Sequence, residues 1–314
     1  MSWAARAGSA ALGLMEPLTA RWPAIAVYRL RMLVDGGQTE RAILYGWRHL
    51  AGRPTHAWLH FQSGRAAQSK GLSRQARVRF AHAAALDPSE ATFRFALGYA
   101  LRQEGHLSAA AREYRVALRE VPDEPKILFN LGVVERERKR FKAAQACFER
   151  VVSLWPKDVR AFYTLGVCAF EAGDQVTAMD SLRRAIERDP RHHKSHYQLA
   201  LVHLDARRMQ PAHVALRQTL RLKADYGPAH YALGRSLVDD DPGRARHHLR
   251  ESLLTEPPML RAHLDLGRLH QRAGRLEEAR AEYMLFARHH PNRRKAWVKA
   301  RLVELEAALR ERRR

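Results

Sequence analysis

Cysteine is nearly absent from this sequence of 314 residues, which contains only Cys147 and Cys168. Two cysteines supply neither a disulfide framework nor the four ligands of a structural zinc site, so the fold depends on packing. Both cysteines fall on predicted helical core positions, and we expect them to be small buried hydrophobic residues. Because such cysteine usage fits a reducing compartment, we expect a cytoplasmic protein.

Long apolar runs and catalytic motifs are missing as well. No hydrophobic stretch approaches the roughly 18 residues that a membrane span requires. The sequence also has no P-loop, Gly-x-Gly-x-x-Gly, Gly-x-Ser-x-Gly or His-Glu-x-x-His motif. We therefore expect a protein that is not an enzyme, binds no cofactor and has no transmembrane segment.

Acidic residues are scarce relative to basic ones. The 33 Asp and Glu residues face 55 Lys and Arg residues, for a formal net charge of +22. This excess of positive charge favours a negatively charged partner. That partner is one of three kinds: an acidic protein segment, a nucleic acid or an anionic membrane surface. Most of the basic residues are arginine, and alanine is abundant, so a GC-rich genome explains the charge equally well.

Alanine, by contrast, recurs at an almost fixed interval. Successive members of one series lie 34 residues apart, except for a single gap of 33. A small residue at such a period marks a place where two helices repeatedly approach each other closely, which predicts a helical repeat array. The series consists of Ala42, Ala76, Ala110, Ala144, Ala178, Ala212, Ala245 and Ala279.

Other residues share this period and identify the repeat. Counted from Ala91 as position 1, Leu97 and Gly98 stand at positions 7 and 8, Tyr114 at position 24 and Pro122 at position 32. A shift of 34 residues gives the same residue types again. This pattern resembles the tetratricopeptide repeat (TPR) family. The resemblance implies an all-α, right-handed superhelical solenoid of about eight helix pairs.

The register divides the chain into a leader, an array and a last helix. Residues 1–22 are predicted to be an irregular leader with a short helix that covers the first repeat, with a transit peptide as the alternative. Residues 294–314 are predicted to form a C-terminal capping helix with a basic tail. The TPR array covers 23–293, in units 23–56, 57–90, 91–124, 125–158, 159–192, 193–226, 227–259 and 260–293.

In the TPR family the first helix of each unit lines a concave groove, and positions 2, 5, 9, 12 and 13 typically face it. Position 5 is aromatic in six consecutive units of this chain. An aromatic stripe offers a large contact area to a bound peptide at low entropic cost. Ordinary packing between helices explains the same pattern equally well. The six residues are Phe61, Phe95, Phe129, Tyr163, Tyr197 and Tyr231.

Basic and polar residues accompany the aromatic stripe. An arginine there can bind a carboxylate through two hydrogen bonds. Position 13, however, is often acidic, so Arg31 with Asp35 and Arg235 with Asp239 are predicted to pair along one helix. The groove therefore either binds an acidic ligand or satisfies its own charges. The remaining candidates are Arg65, Tyr99, Arg102, Lys126, Asn130, Arg160, Lys194, Arg235 and Arg268.

Histidine is the last conspicuous residue type, with 17 copies. His60, His196, His230 and His263 all occupy position 4 of their units. Ladder residues in successive repeats point in parallel, whereas metal ligands have to converge on one point. We therefore expect these histidines to pack between helices, and we expect no metal site.

Two functions follow from the resemblance and the charge. The first is a non-catalytic adaptor or scaffold whose groove holds an extended or helical protein segment with acidic character. The alternative is a binder of RNA, DNA or anionic membrane, which uses the arginine-rich second helices and the C-terminal helix. Salt distinguishes the two, because phosphate binding weakens steeply as counterions are released. The arginines of the alternative are Arg183, Arg184, Arg246 and Arg250.

Overall fold

A computed structural model describes residues 23–52, 55–289 and 295–312. Over these residues the chain forms seventeen α-helices and no β-strand, which confirms the all-α prediction. No helix in the described ranges is long and apolar enough to cross a membrane. The predicted leader, residues 1–22, lies outside the described residues, as do the last two residues of the basic tail. The chain divides into two compact units, Met1–Lys157 and Asp158–Arg314.

The first unit contains four helix pairs. Within each pair a short turn joins the two helices, so they pack against each other as a hairpin. Within this unit, the second helix of each of the first three pairs also packs on the first helix of the next pair. The helices are α1 (Pro23–Asp35), α2 (Thr39–Gly52), α3 (Ala57–Ser69), α4 (Ser73–Leu86), α5 (Ala91–Gln103), α6 (Leu107–Glu120), α7 (Pro125–Glu137) and α8 (Phe141–Leu154).

The second unit repeats this arrangement with four further pairs and one additional helix. The seventh pair of the chain is the shortest, because its two helices have only 10 and 12 residues. The helices are α9 (Val159–Glu171), α10 (Gln175–Arg188), α11 (His193–Asp205), α12 (Met209–Leu222), α13 (Gly227–Ser236), α14 (Pro242–Leu253), α15 (Ala262–Arg272), α16 (Leu276–His289) and α17 (Lys295–Arg312).

The recurring small residues lie where the helices meet. All eight alanines of the 34-residue series are buried. The glycine at position 8 leaves a notch that the large residue at position 24 of the same pair fills. A Cβ atom added to Gly98 would lie 2.7 Å from Tyr114 Cε1, and one added to Gly132 would lie 2.9 Å from Phe148 Cε1. The small residues therefore set how closely each pair packs, as the sequence predicted.

Most turns within a pair place a glycine in the left-handed region. Two turns place a basic residue there instead, Lys139 with φ 60° and Arg207 with φ 55°. A non-glycine residue in this region costs about 1 kcal/mol or more relative to glycine. The two basic turns are therefore less favourable locally than the glycine turns. The glycines are Gly37, Gly71, Gly105, Gly173 and Gly274.

The two cysteines are both free thiols in helices. Cys168 is fully buried, whereas Cys147 is only half-buried beside the core of the first unit. Burial raises the pKa of the Cys147 thiol to about 11. A thiol with such a raised pKa is poorly reactive near neutral pH.

The last helix, α17, covers the final helix pair. Val298 and Leu305 are buried in a cluster with Tyr283 and Phe286 of α16. The Trp297 ring meets Tyr283 edge-on, with 5.9 Å between the ring centroids. An apolar stripe on one face of α17 thus closes a core surface that the array would otherwise expose.

Candidate functional site

A cavity of about 440 Å³ lies in the first unit, mainly between the first helices of three consecutive pairs, α3, α5 and α7. Five of the residues predicted from the sequence line this cavity, hereafter called the aromatic cavity. They are Phe61, Arg65, Phe95, Tyr99 and Asn130. Four further lining residues were not predicted, namely Gln68, Phe80, Thr92 and Ala96.

The aromatic residues of this cavity also belong to the core. Phe61 is almost completely buried, and its ring lies 5.8 Å from that of Phe80 and 5.2 Å from that of Phe93. Phe95 is half-buried, and its ring lies 5.8 Å from that of Tyr114. The two explanations for the aromatic stripe are therefore compatible here. Packing against the core holds the rings in place, and the cavity is built on them.

Two of the predicted basic residues are neutralised by acidic residues of a neighbouring pair. Arg65 Nη2 donates to Asp35 Oδ1 at 2.8 Å. Arg102 Nη2 donates to Glu137 Oε1 at 2.5 Å, and this bond raises the pKa of Arg102 above its usual value. Lys126 is exposed, and no ion pair engages it among the described residues. Lys126 is therefore the predicted cation of the first unit that is available to a ligand.

The other first-unit candidates lie on α7. Phe129 is half-buried and meets Phe148 edge-on, with 5.4 Å between the ring centroids. Asn130 Nδ2 donates to the carbonyl oxygen of Lys126 at 2.8 Å, which holds the side chain against its own helix. Asn130 lines the aromatic cavity, whereas Phe129 is not among its lining residues.

In the second unit, residues that precede the next helix pair cover the tyrosines at position 5. The Tyr163 ring meets His192 edge-on at 5.2 Å, and the Tyr197 ring meets Tyr226 edge-on at 5.2 Å. His193 contacts the same Tyr226 ring at 5.1 Å. Burial raises the pKa of Tyr197 to about 12 and lowers the pKa of His192. These aromatic residues thus pack on one another rather than forming an open stripe.

Three of the predicted groove residues in the second unit contact one acidic residue that was not predicted from the sequence. Asp265 on α15 is almost buried. Tyr231 Oη donates to Asp265 Oδ2 at 3.0 Å, while Arg235 and Arg268 approach the carboxylate at 3.7 Å and 3.4 Å. Burial, with Asp265 adding to it, raises the pKa of Tyr231 to about 12. These three side chains therefore serve a local network.

Only one of the two ion pairs predicted along a single helix is found. Arg31 Nε lies 3.5 Å from Asp35 Oδ2, as predicted. The predicted pair of Arg235 with Asp239 is wrong, because Arg235 turns to the buried carboxylate described above. Asp239 instead accepts a hydrogen bond from Arg272 Nη1 at 2.6 Å. A charged side chain can therefore pair with a residue of the neighbouring repeat instead of with a residue on its own helix.

The last two basic candidates are exposed. Arg160 Nη2 lies 3.8 Å from Asp158 Oδ2, and most of its side chain is open to solvent. The same Asp158 caps α9 by accepting from the backbone N–H of Arg160 at 2.7 Å. Lys194 is exposed on α11. An exposed ion pair such as that of Arg160 contributes only about 0–1 kcal/mol.

The position-4 histidines contact the second helix of their own pair or the preceding loop. His230 Nε2 bonds the carbonyl oxygen of Ala224 at 2.9 Å, so Nε2 carries the proton and Nδ1 accepts. His248 Nδ1 then donates to His230 Nδ1 at 3.0 Å. His263 Nδ1 lies 2.7 Å from Glu282 Oε2. Across the described ranges, no group of three or more potential metal ligands comes together.

We expect acid to destabilise the fold through His248. Burial lowers its pKa from 6.5 to about 4, and His230 and His247 add to the effect. Between these two values the unfolded chain binds a proton that the folded chain does not, so stability falls as the pH falls. Thermal melting should show a smaller decrease in Tm between pH 7 and pH 5 for His248→Gln than for the wild type.

The control for this prediction is Gln75→Ala, which replaces an exposed side chain that does not titrate. Its Tm should depend on pH as the wild type does. An identical pH dependence for His248→Gln and the wild type would contradict the role given to His248.

Sequence comparison agrees with the repeated helix pairs. One model of the tetratricopeptide repeat matches residues 61–125 and 129–193, and a second matches residues 236–302. Together these matches cover more than half of the chain. The chain belongs to the tetratricopeptide repeat family. No curated protein sequence matches this TPR protein.

Solved TPR structures share the fold at low sequence identity. A TPR protein from Parabacteroides merdae has a TM-score of 0.63 at 14% identity, covering 80% of this chain and 98% of its own. The C-terminal part of a TPR repeat-containing protein from Cytophaga hutchinsonii has a TM-score of 0.64 at 14% identity, covering 76% and 99%. YrrB, described as a TPR protein with an unusual peptide-binding site, has a TM-score of 0.55 at 20% identity, covering 60% and 96%.

Proposed function

We propose that this TPR protein is a non-catalytic adaptor that binds a peptide segment of a partner protein in the aromatic cavity. TPR proteins generally mediate protein–protein interactions. The observation that carries the proposal is that Phe61, Phe95 and Tyr99 line one cavity together with polar side chains. Concave sites of this kind, mostly apolar with a few polar groups, are typical of ligand binding.

The chemistry of the cavity favours a large apolar side chain as the anchor of the peptide. Burial of one such side chain contributes about 1.5–3 kcal/mol. An exposed ion pair contributes about 0–1 kcal/mol, and Arg65 already pairs with Asp35. The apolar contact therefore dominates the affinity.

An acidic residue of the peptide has one partner available beside this cavity. Lys126 lies one turn before Asn130 on α7, so the two side chains share a side of the helix. A carboxylate placed next to the apolar anchor would reach Lys126 and add specificity rather than most of the affinity. We infer a peptide with a large apolar residue and an adjacent acidic residue.

One arginine of the polyanion alternative, Arg184, is engaged by the protein itself. The Arg184 guanidinium lies 5.4 Å from the centre of the Phe162 ring, and Arg188 lies over the same ring at 4.1 Å. Arg184 is also 3.8 Å from Asp180. Stacking and pairing of this kind hold a guanidinium at the protein surface. Nucleic-acid binding is kept as an outcome of the following experiment.

The test uses peptides selected from a random displayed library against the full-length protein. We expect the selected peptides to bind the variant Tyr99→Ala with Asn130→Ala about tenfold more weakly or worse, because both side chains line the aromatic cavity. Affinity is measured by fluorescence anisotropy, at low and at high salt. An apolar anchor should keep most of its affinity at high salt.

A second cavity of the same unit provides a matched control. Trp47 and Gln75 line a cavity of about 350 Å³. The variant Trp47→Ala with Gln75→Ala removes the same kinds of side chain and should bind the peptides as the wild type does. Equal loss in both variants would contradict the assignment to the aromatic cavity. Selection of no peptide, together with salt-sensitive capture of RNA, would favour the polyanion alternative.

A further inference from the structure

A cavity lined by basic residues lies elsewhere in the first unit. It has a volume of about 640 Å³ and is formed where the turn of the third helix pair meets the turn of the fourth. Arg112, Arg138 and Arg140 line it, and no carboxylate does. We call it the basic cavity. It shares no lining residue with the aromatic cavity. The remaining lining residues are Gly105, His106, Leu107, Ser108 and Ala109.

Two of its three guanidinium groups are available to a ligand. Arg112 and Arg140 are exposed, and neither guanidinium group makes a hydrogen bond or an ion pair within the part of the chain that the structure describes. Arg138 differs, because its Nη1 donates to both carboxylate oxygens of Glu135, at 3.1 Å and 3.2 Å. Arg112 and Arg140 therefore face the basic cavity with unshared positive charge.

The start of α6 adds backbone donors to the same wall. Ser108 and Ala109 line the cavity and stand in the first turn of α6, where N–H groups have no acceptor within the helix. His106, at the N-cap, makes no side-chain capping bond. The second helices α4, α8 and α12 begin in the same uncapped way. The arginines, rather than the helix start, thus distinguish the basic cavity.

The charges around the basic cavity point to a small anion rather than a long one. Glu104 Oε2 lies 3.6 Å from His106 Nε2, and Glu135 binds Arg138. These carboxylates flank the cavity and limit its positive charge on the sides of Glu104 and Glu135, which suits a compact anion better than a nucleic-acid backbone. A phosphate monoester carries a charge of about −1.5 to −2 near neutral pH on three terminal oxygens. Such a group matches two free guanidinium groups and backbone N–H donors gathered at one place.

We propose that the basic cavity binds the terminal phosphate of a phosphate monoester. The guanidinium groups of Arg112 and Arg140 bind the phosphate oxygens, and the N–H groups of Ser108 and Ala109 complete the site. A small phosphorylated molecule and a phosphorylated side chain of a partner carry the same group. The site is independent of peptide binding in the aromatic cavity, because the two cavities use different residues.

The experiment is a calorimetric titration of the full-length protein with phenyl phosphate and with a short phosphoserine peptide, at constant ionic strength. We expect both probes to bind the wild type. The variant Arg112→Gln with Arg140→Gln should weaken binding about tenfold or more, since it removes two charge-assisted contacts. Both positions are exposed, and far-UV circular dichroism verifies that the variant folds. The tighter of the two probes tells which source of phosphate the site prefers.

The matched control is Arg119→Gln with Lys157→Gln. It removes the same charge from exposed positions of the first unit that do not line the basic cavity. This variant should bind both probes as the wild type does. The proposal is overturned if the control loses as much affinity as the test variant or if neither probe binds. It is also overturned if a single-stranded RNA binds more tightly than both probes and does so equally in the test variant.

Discussion

Replacement of Phe148 by alanine is expected to lower the free energy of unfolding by about 3–5 kcal/mol. Phe148 is fully buried in α8, and its ring fills the space that a side chain of Gly132 would occupy on α7. Since Gly132 has no side chain that can move into the gap, the loss of the ring leaves a cavity between the two helices. Urea-induced unfolding followed by far-UV circular dichroism measures the change.

The chain itself offers the control for this prediction. In two other helix pairs, the position that corresponds to Phe148 is occupied by leucine: Leu182 lies opposite Gly166, and Leu249 lies opposite Gly234. Leucine therefore already fills this notch in two other helix pairs, and Phe148→Leu should cost less than about 1.5 kcal/mol. If leucine proved as costly as alanine, the volume of the side chain would not be what stabilises the pair.

Replacement of Gly98 by alanine is expected to destabilise the protein by about 1–3 kcal/mol. Glycine to alanine within a helix usually stabilises by about 1 kcal/mol, so the sign of this effect is informative. A Cβ atom on Gly98 would lie 2.7 Å from Tyr114 Cε1 and 2.9 Å from Tyr114 Cδ1. Tyr114 is fully buried in α6, so its ring cannot move away without disturbing the core. The same urea titration measures this change.

An exposed helical glycine shows what the substitution does without such a neighbour. Gly243 stands in the first turn of α14, and the nearest atom to an added Cβ is Asp241 Oδ1 at 3.4 Å. Gly243→Ala should be neutral or should stabilise by up to about 1 kcal/mol. Stabilisation by both substitutions would mean that the notch at Gly98 is not close-packed.

The ion pairs show where reasoning along a single helix fails. The sequence predicted pairs four residues apart, but several pairs of the structure join residues about one repeat apart. Arg65 pairs with Asp35, Lys70 Nζ lies 2.5 Å from Glu40 Oε1, and Arg102 pairs with Glu137. The helices of neighbouring repeats lie side by side, so charges separated by about one period become neighbours. Oppositely charged residues that lie 30 to 35 positions apart in the sequence could therefore have indicated these ion pairs between neighbouring repeats.

The sequence by itself determined the helix pairs and the way each pair packs. The alanines at one period and the glycine opposite a large residue, such as Gly98 opposite Tyr114, specify close approach through sterics alone. Steric demands of this kind are local and repeat with the chain, so they can be read directly from the spacing of residue types.

Only the tertiary structure decided which groove residues are open to a ligand. Phe95 and Tyr99 line the aromatic cavity, while residues before the next helix pair cover Tyr163 and Tyr197. It also decided which cations are free, because Arg65 is paired and Lys126 is not. The six aromatic positions look equivalent in the sequence. Their exposure depends on side chains of the adjacent repeat and its loop, which the spacing within one repeat does not encode.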